Sequence, residues 1–372
     1  MTSFGFRLFA LDIKRNGRGD PQNLKLKTED GVVHFRDYLE ATVTKRKGLA
    51  VHGTPPKASE EADDDDNDSA TDVSDEATDG DEETADDDER KARRPVLCVI
   101  DVSTRGDHLI VDFLYGKRST YTHAGFSEDE VASPVDISKM KSVRPYRAAF
   151  IFPDTGTRGI LAVEDANRTC PHKALERWLK YWARYDAKEA EISRSGIEGK
   201  RKKLDWWSAK AIPVNDPKRL ESILKNGTST QLVLTKTGAS NSRTPGSKAL
   251  KIQMGLHEAG AIATVRDAIT RWFPGGAKPS STQAEASEDL AAILADKYAN
   301  LDGEEYDDAW VDVRDERGNV KHISPSRWAD IFTYPVSRAE FRPIPREFFG
   351  SVRAAIERIQ KSLELDIEWS GW

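Results

Sequence analysis

From Glu60 to Glu89 the chain reads EEADDDDNDSATDVSDEATDGDEETADDDE, with 18 carboxylates and no lysine or arginine. Such a run has almost nothing to bury and its charges repel one another, so it is expected to be disordered. Together with Pro55 and Pro56 it predicts a linker over 53–94 that divides everything else. The residues before it, 1–52, hold the apolar stretch FGFRLFALDIK and a helical pattern at Phe35, Leu39 and Val43. About fifty residues make a poor core by themselves. This piece is therefore expected to give a strand and a short helix to the main fold. The tract also masks the charge of the rest, because removing its 18 carboxylates from a formal net charge of −7 leaves +11. A body that basic suits a polyanionic partner, since clustered Lys and Arg release counterions from phosphates. The plainer reading is that the two signs of charge are segregated for solubility.

Several classes drop out early. No apolar run approaches the roughly 20 residues needed to span a bilayer. Phe4 to Ile13 is interrupted by Arg7 and Asp12 and lacks the flanks of a signal peptide. Cys98 and Cys170 are the only two cysteines in 372 residues, too few for a disulfide framework or a tetrahedral thiolate site. A cytoplasmic location is the expectation.

Beyond Arg94 the pattern changes to short apolar runs with turn signals. RPVLCVIDV and HLIVDFLYG, joined by STRGD, predict one hairpin over 94–116; RAAFIFPD and ILAVED predict a second over 147–165. Pro171 to Ile192 carries Leu175, Trp178, Leu179, Trp182 and Tyr185 at helical spacing. A strand at AIPV (211–214) follows, then a helix opened by Asp216-Pro217 and ended by Asn226-Gly227. Strands are expected at 230–237 and 249–255, and a helix from Gly260 to Phe273. GGAKPSSTQAEAS (275–287) reads as a second linker. After it come a helix over 288–299, a hairpin over 309–324, a helix from Pro345 to Leu365 and the tail DIEWSGW. The fold class is α+β, with antiparallel hairpins and packed helices in two lobes. The expected parts are a central domain at 95–274 and a C-terminal hairpin and helix region at 288–372.

No catalytic motif is present, and no catalytic residue, metal ligand or cofactor is assigned. There is no GxxxxGK[ST], GxGxxG, HExxH or GxSxG. The seven histidines are scattered, and Cys170 with His172 reads as a capping and packing pair. Asp101 and Asp112 on successive strands, followed by Lys117, could hold Mg²⁺ for phosphodiester cleavage. The alternative is that they mark the solvent face of a hairpin. Basic residues near aromatic ones form the stronger signal. Lys173, Arg177, Lys180 and Arg184 lie off the apolar stripe of their helix, and Lys200, Arg201, Lys202 and Lys203 run up to Trp206 and Trp207. Lys236, Arg243, Lys248 and Lys251 flank a Gly/Ser-rich loop. Cations hold phosphates, and exposed indoles stack on bases. Trp178 and Trp182 share a helix face and read as core; Trp206 and Trp207 suit either role. With no zinc finger, basic zipper or helix-turn-helix, DNA binding through phosphates would tolerate many sequences. The acidic tract reads as a solubilising spacer, as an internal competitor for the basic surface, or as a nucleic-acid mimic in an inhibitor or interaction module.

The order of these elements resembles the RexA proteins of temperate phages, DNA-binding proteins of the phage-exclusion type. The stretches that carry the likeness are RAAFIFPDTGTRGILAVED with the helix HKALERWLKYW, then PKRLESILKNG leading into TQLVLTKT, and AWVDVRDERGNVKHIS before a terminal helix. The likeness covers about two thirds of the chain and is one of pattern and spacing. The acidic insertion, the tryptophan-rich helix and the WSGW tail depart from it. The resemblance implies sequence-tolerant DNA binding as a homodimer, with a membrane effector partner in a phage-exclusion or bacterial defence system. It transfers no functional residue.

Overall fold

The computed structural model describes residues 4–28, 31–56, 94–118, 123–124, 135–136, 141–198, 204–214, 216–227, 229–236, 250–256, 259–273, 281–295, 306, 308–314, 320–325, 333–337 and 342–372. In chain order the strands and helices begin with β1 (Phe4–Arg15), β2 (Lys25–Thr28), β3 (Gly31–His34), α1 (Phe35–Thr44) and β4 (Ala50–His52). Then come β5 (Val96–Arg105), β6 (His108–Arg118), β7 (His123–Ala124), β8 (Val135–Asp136), β9 (Lys141–Ile151), β10 (Arg158–Ala166), α2 (His172–Glu198) and β11 (Trp207–Pro213). The chain continues through α3 (Pro217–Asn226), β12 (Ser229–Lys236), β13 (Leu250–Leu256), α4 (Ala259–Trp272), α5 (Gln283–Ala295), β14 (Asp308–Arg314) and β15 (Val320–Ile323). It closes with β16 (Tyr334–Ser337) and α6 (Pro345–Ile359).

These elements build an α+β protein of two compact units. Of the described residues, the first unit takes those within Met1–Glu61, Asp79–Ile212 and Tyr334–Trp372; the second takes those within Pro213–Thr333. The partition differs from the one expected. The boundary falls after Ile212 rather than at 274. The hairpin β14–β15 joins the second unit, whereas α6 belongs to the first. Local patterns mark where elements are, but strand pairing decides which core they share.

The first unit is an eight-stranded sheet in the order β11-β1-β10-β9-β6-β5-β4, with β16 also paired to β1. The pairings of β1 with β10, β10 with β9, β9 with β6, β6 with β5 and β5 with β4 are all antiparallel. Between Phe4 and Ile13 every β1 residue but Arg7 is buried. A run so continuously apolar belongs to a strand covered on both faces. One face meets α1 and α2 in a core that includes Phe9, Leu11, Phe35, Leu39, Leu175 and Trp178. On the other, Phe6 stacks on Tyr334 and meets Phe348 of α6 edge-on. The hairpin β2–β3 was not legible as strands, because KLKT and GVVH are four residues each and only Leu26 among them is buried. β11 starts four residues earlier than AIPV suggests.

The second unit is a four-stranded antiparallel sheet, β13-β12-β14-β15, with α3, α4 and α5 on its core side. Leu232, Leu234, Trp272, Leu290 and Val311 are among its buried residues. The opposite face carries polar cross-strand pairs, Gln253 with Gln231 and His322 with Asp312. α5 begins at Gln283, inside the stretch 275–287 that reads as a linker and five residues before the expected start at 288; the expected end at 299 lies outside the described residues. The final helix stops at Ile359 instead of running to Leu365.

Candidate nucleic-acid interface

The helix α2 turns one face to the sheet through Leu175, Trp178, Leu179, Trp182 and Ala183, all buried. Successive residues rotate by about 100° and rise about 1.5 Å. On that wheel Lys173, Arg177, Lys180, Arg184 and Lys188 fall within a band about 80° wide, and they span about 22 Å of helix. All five are exposed. The carboxylates up to that point lie elsewhere. Glu176 is turned toward β11, where its Oε1 accepts the Ala211 N–H at 3.1 Å. Burial pushes the Glu176 carboxyl up, while Lys210, Lys180 and Lys173 pull the other way. Asp186 is held by Arg46 at 2.7 Å and Lys45 at 3.4 Å. The line of cations ends where Glu191 takes the next place on it. Lys188 continues the spacing of the other four and was legible in the sequence as one more turn. Lys210, exposed on the edge strand β11, was not, because only the sheet brings it to Glu176.

The tryptophans after the basic run do not face solvent. Trp206 is 8 % exposed and Trp207 6 %. Trp206 is clasped by the turn after β1: its N–H donates to Asn16 Oδ1 at 3.1 Å, and its carbonyl accepts the Asn16 N–H at 2.7 Å. A Cβ on Gly17, whose φ is +73°, would come within 2.9 Å of the Trp206 ring and 3.2 Å of the Lys180 side chain. Trp207 meets the Tyr38 ring edge-on at 5.5 Å. The Asn16–Gly17 turn and the Tyr38 ring cover these indoles and no open cleft among the described residues reaches them, so base stacking is not open to either.

The other expected contacts are placed only in part. Lys200, Arg201, Lys202 and Lys203, together with Arg243 and Lys248, lie outside the described residues, as does the acidic tract. Lys236 and Lys251 sit at the ends of β12 and β13, where Lys251 pairs with Thr235. His172 stacks on Phe9 at 4.1 Å, and its Nδ1 lies 3.3 Å from the Cys170 carbonyl.

Asp101 and Asp112 are direct cross-strand partners, yet each is engaged by its own cations. Asp101 accepts from Lys47 Nζ at 2.6 Å. Asp112 belongs to a row across β6, β9 and β10 that is closed by the segment before α6. Arg342 Nη2 donates to Asp112 at 2.9 Å and Arg342 Nε to Glu164 at 2.9 Å. Arg147 donates to Glu164 through its backbone N–H at 2.8 Å and through Nη1 at 3.3 Å, and to the Pro343 carbonyl at 3.0 Å. Glu164 is 3 % exposed and Arg147 7 %. Two carboxylates and two guanidiniums balance one another here, so the row ties the C-terminal segment to the sheet and leaves no surplus negative charge to attract a cation. Among the described residues no three of His, Cys, Asp and Glu converge as metal ligands do.

No family model, curated protein or solved structure matches the chain. Among the described residues no helix is long and apolar enough to cross a membrane.

Proposed function

We propose that the protein binds DNA through phosphates with little regard to sequence, using the exposed face of α2 as its main contact. The observation that supports this reading is the line of Lys173, Arg177, Lys180, Arg184 and Lys188, carried on the exposed side of a helix whose opposite face is locked in the core. A rigid row of cations presents fixed charges to a regularly charged strand at little cost in ordering. The basic balance of the chain outside Glu60–Glu89 favours the same partner. A cytoplasmic location, a homodimer and a place in phage exclusion or bacterial defence with a membrane effector belong to the same proposal; the last two rest on the likeness to RexA proteins.

The test is a salt titration of binding to a random-sequence duplex, read by fluorescence anisotropy. The Lys173→Glu, Arg177→Glu, Lys180→Glu, Arg184→Glu variant should weaken binding and flatten the plot of log affinity against log salt by roughly one unit for each phosphate no longer held. A variant lacking 60–89 is compared in parallel, because Gly53 N–H donates to the Pro95 carbonyl at 2.7 Å and the chain can be rejoined there. Affinity and slope unchanged by the four reversals would overturn the proposal.

A further inference from the structure

Beside the cation line lies a cleft of about 320 Å³, open to solvent and lined by aromatic side chains. Trp178 and Trp182 form its floor, Tyr181 and Tyr185 one wall, and Leu49 and Val51 the other, with Arg46 and Glu189 at the rim. The floor is fixed: the two indoles are 6 % and 3 % exposed, and Trp178 Nε1 donates to the Gly53 carbonyl at 3.2 Å. The walls are open in part, with Arg46 lying over the Tyr185 ring at 5.8 Å. Tyr185 is 43 % exposed and Leu49 53 %. The rings lie in a chain, Trp178 to Tyr181 at 5.5 Å, Trp178 to Trp182 at 5.9 Å and Tyr181 to Tyr185 at 6.1 Å.

The position of the cleft on the helix sets its ligand. Tyr181 and Tyr185 are turned about 60° and 100° from the middle of the cation line. A chain whose phosphates follow Lys173 to Lys188 therefore passes the open mouth of the cleft. Phosphate-holding cations beside aromatic faces form the platform that single strands use, because every base has a π-face while only an unpaired base can leave the stack to reach one. A cleft near the lower end of the ligand-pocket range, about 300 Å³, has room for a small planar group. A duplex keeps its bases inside and can use only the cations.

We infer that the cleft between α2 and the segment from Arg46 to Val51 takes an unpaired nucleobase, and that single-stranded nucleic acid is the preferred ligand of this surface. The inference rests on the proposed phosphate contacts of α2 and adds a base to them.

The full chain is titrated with a dye-labelled oligothymidylate and with a random duplex of equal length. Tyr185→Ala and Tyr181→Ala should each weaken single-strand binding roughly 5- to 100-fold, the range for removal of one stacking partner. Duplex binding and the salt slope should stay as they are, and Tyr185→Phe should bind like the unaltered chain. The unaltered protein gives a second reading: oligothymidylate should quench tryptophan fluorescence through Trp178 and Trp182, and the duplex should not. Equal loss on both ligands, no loss on either, or no quenching by the single strand overturns the cleft inference and leaves the phosphate contacts standing. Failure of the unaltered chain to bind either ligand overturns the proposed function instead.

Discussion

His108 opens β6 with its ring almost fully buried, between Trp369 at 5.6 Å and Trp372 at 5.3 Å. Its Nε2 lies 3.0 Å from the Glu368 carbonyl. A carbonyl only accepts, so Nε2 carries the proton of the neutral ring, and Nδ1 is bare, buried and without a hydrogen-bond partner among the described residues. Burial lowers the His108 pKa, the Glu368 carbonyl and Asp107 oppose the shift, and Arg36 adds to it. His34 is held neutral in a similar way. Its Nε2 faces the Pro153 carbonyl at 3.3 Å, and its Nδ1 accepts the Arg36 N–H at 3.1 Å as the N-cap of α1. Burial lowers its pKa too. A histidine whose folded pKa is depressed binds more protons when unfolded, so its contribution is complete above the ordinary value of about 6.5 and declines as pH falls below it. The melting temperature is therefore expected to fall between neutral pH and about pH 5. His108→Gln, which does not titrate, should shrink that fall in a series of thermal melts followed by circular dichroism. A melting temperature flat across the range would contradict the account. Gly106, next to this site, has a φ of +56°, and a Cβ there would come within 2.0 Å of the Ser370 carbonyl oxygen. The tail and the β5–β6 turn fit only because that residue has no side chain.

Helix ends show how much an element owes to a few residues. The start of α5 is fixed by a reciprocal cap. Thr282 N–H donates to Glu285 Oε2 at 2.7 Å, and Glu285 N–H donates to Thr282 Oγ1 at 3.2 Å. This Thr-x-x-Glu capping box stands in the sequence within GGAKPSSTQAEAS, where the Gly, Pro and Ser around it suggest a linker instead. Thr282→Ala should cost about 1 kcal/mol of the second unit's stability, the usual value of an N-cap, measured by the denaturant midpoint at unchanged slope. A shift near zero would mean that packing on β12 and β14 alone sets where the helix begins. α2 shows the complementary case. Its buried stripe and cation line were both legible from a period of 3.6 residues, whereas the fates of Trp206 and Trp207 were not. Those depend on Asn16, Gly17 and Tyr38, which lie far away in sequence.

At the scale of the whole molecule the second unit is an insertion within the first. β10 occupies one edge of β1, so β11 and β16 share the other, and residues 213–333 leave from one and return to the other. Each unit has its own buried core, one around Phe9, Phe113 and Trp178 and one around Leu234, Trp272 and Val311. Replacing 213–333 with a short Gly/Ser linker should leave a chain with a cooperative thermal transition, and 213–333 expressed alone should melt cooperatively as well. A chain without a cooperative transition in either case would show that the two cores depend on one another. The same insertion explains why a boundary at 274 looked natural. The break after α4 is marked by Pro274-Gly275-Gly276, but β12 pairs with β14 across it.

Legible along the chain were the fold class, the hairpins of β5 with β6 and β9 with β10, the buried stripe of α2 and the segregation of acidic from basic charge. Each of these is written in residues that are neighbours in sequence or one helical turn apart. Folding in three dimensions was needed to make Trp206 and Trp207 core, to bind Asp112 to Arg342 and Arg147, to return α6 to the first sheet, and to open an aromatic cleft beside the cations. Those outcomes join residues far apart in sequence, and burial and ion pairing act on distance in space, which no local period records.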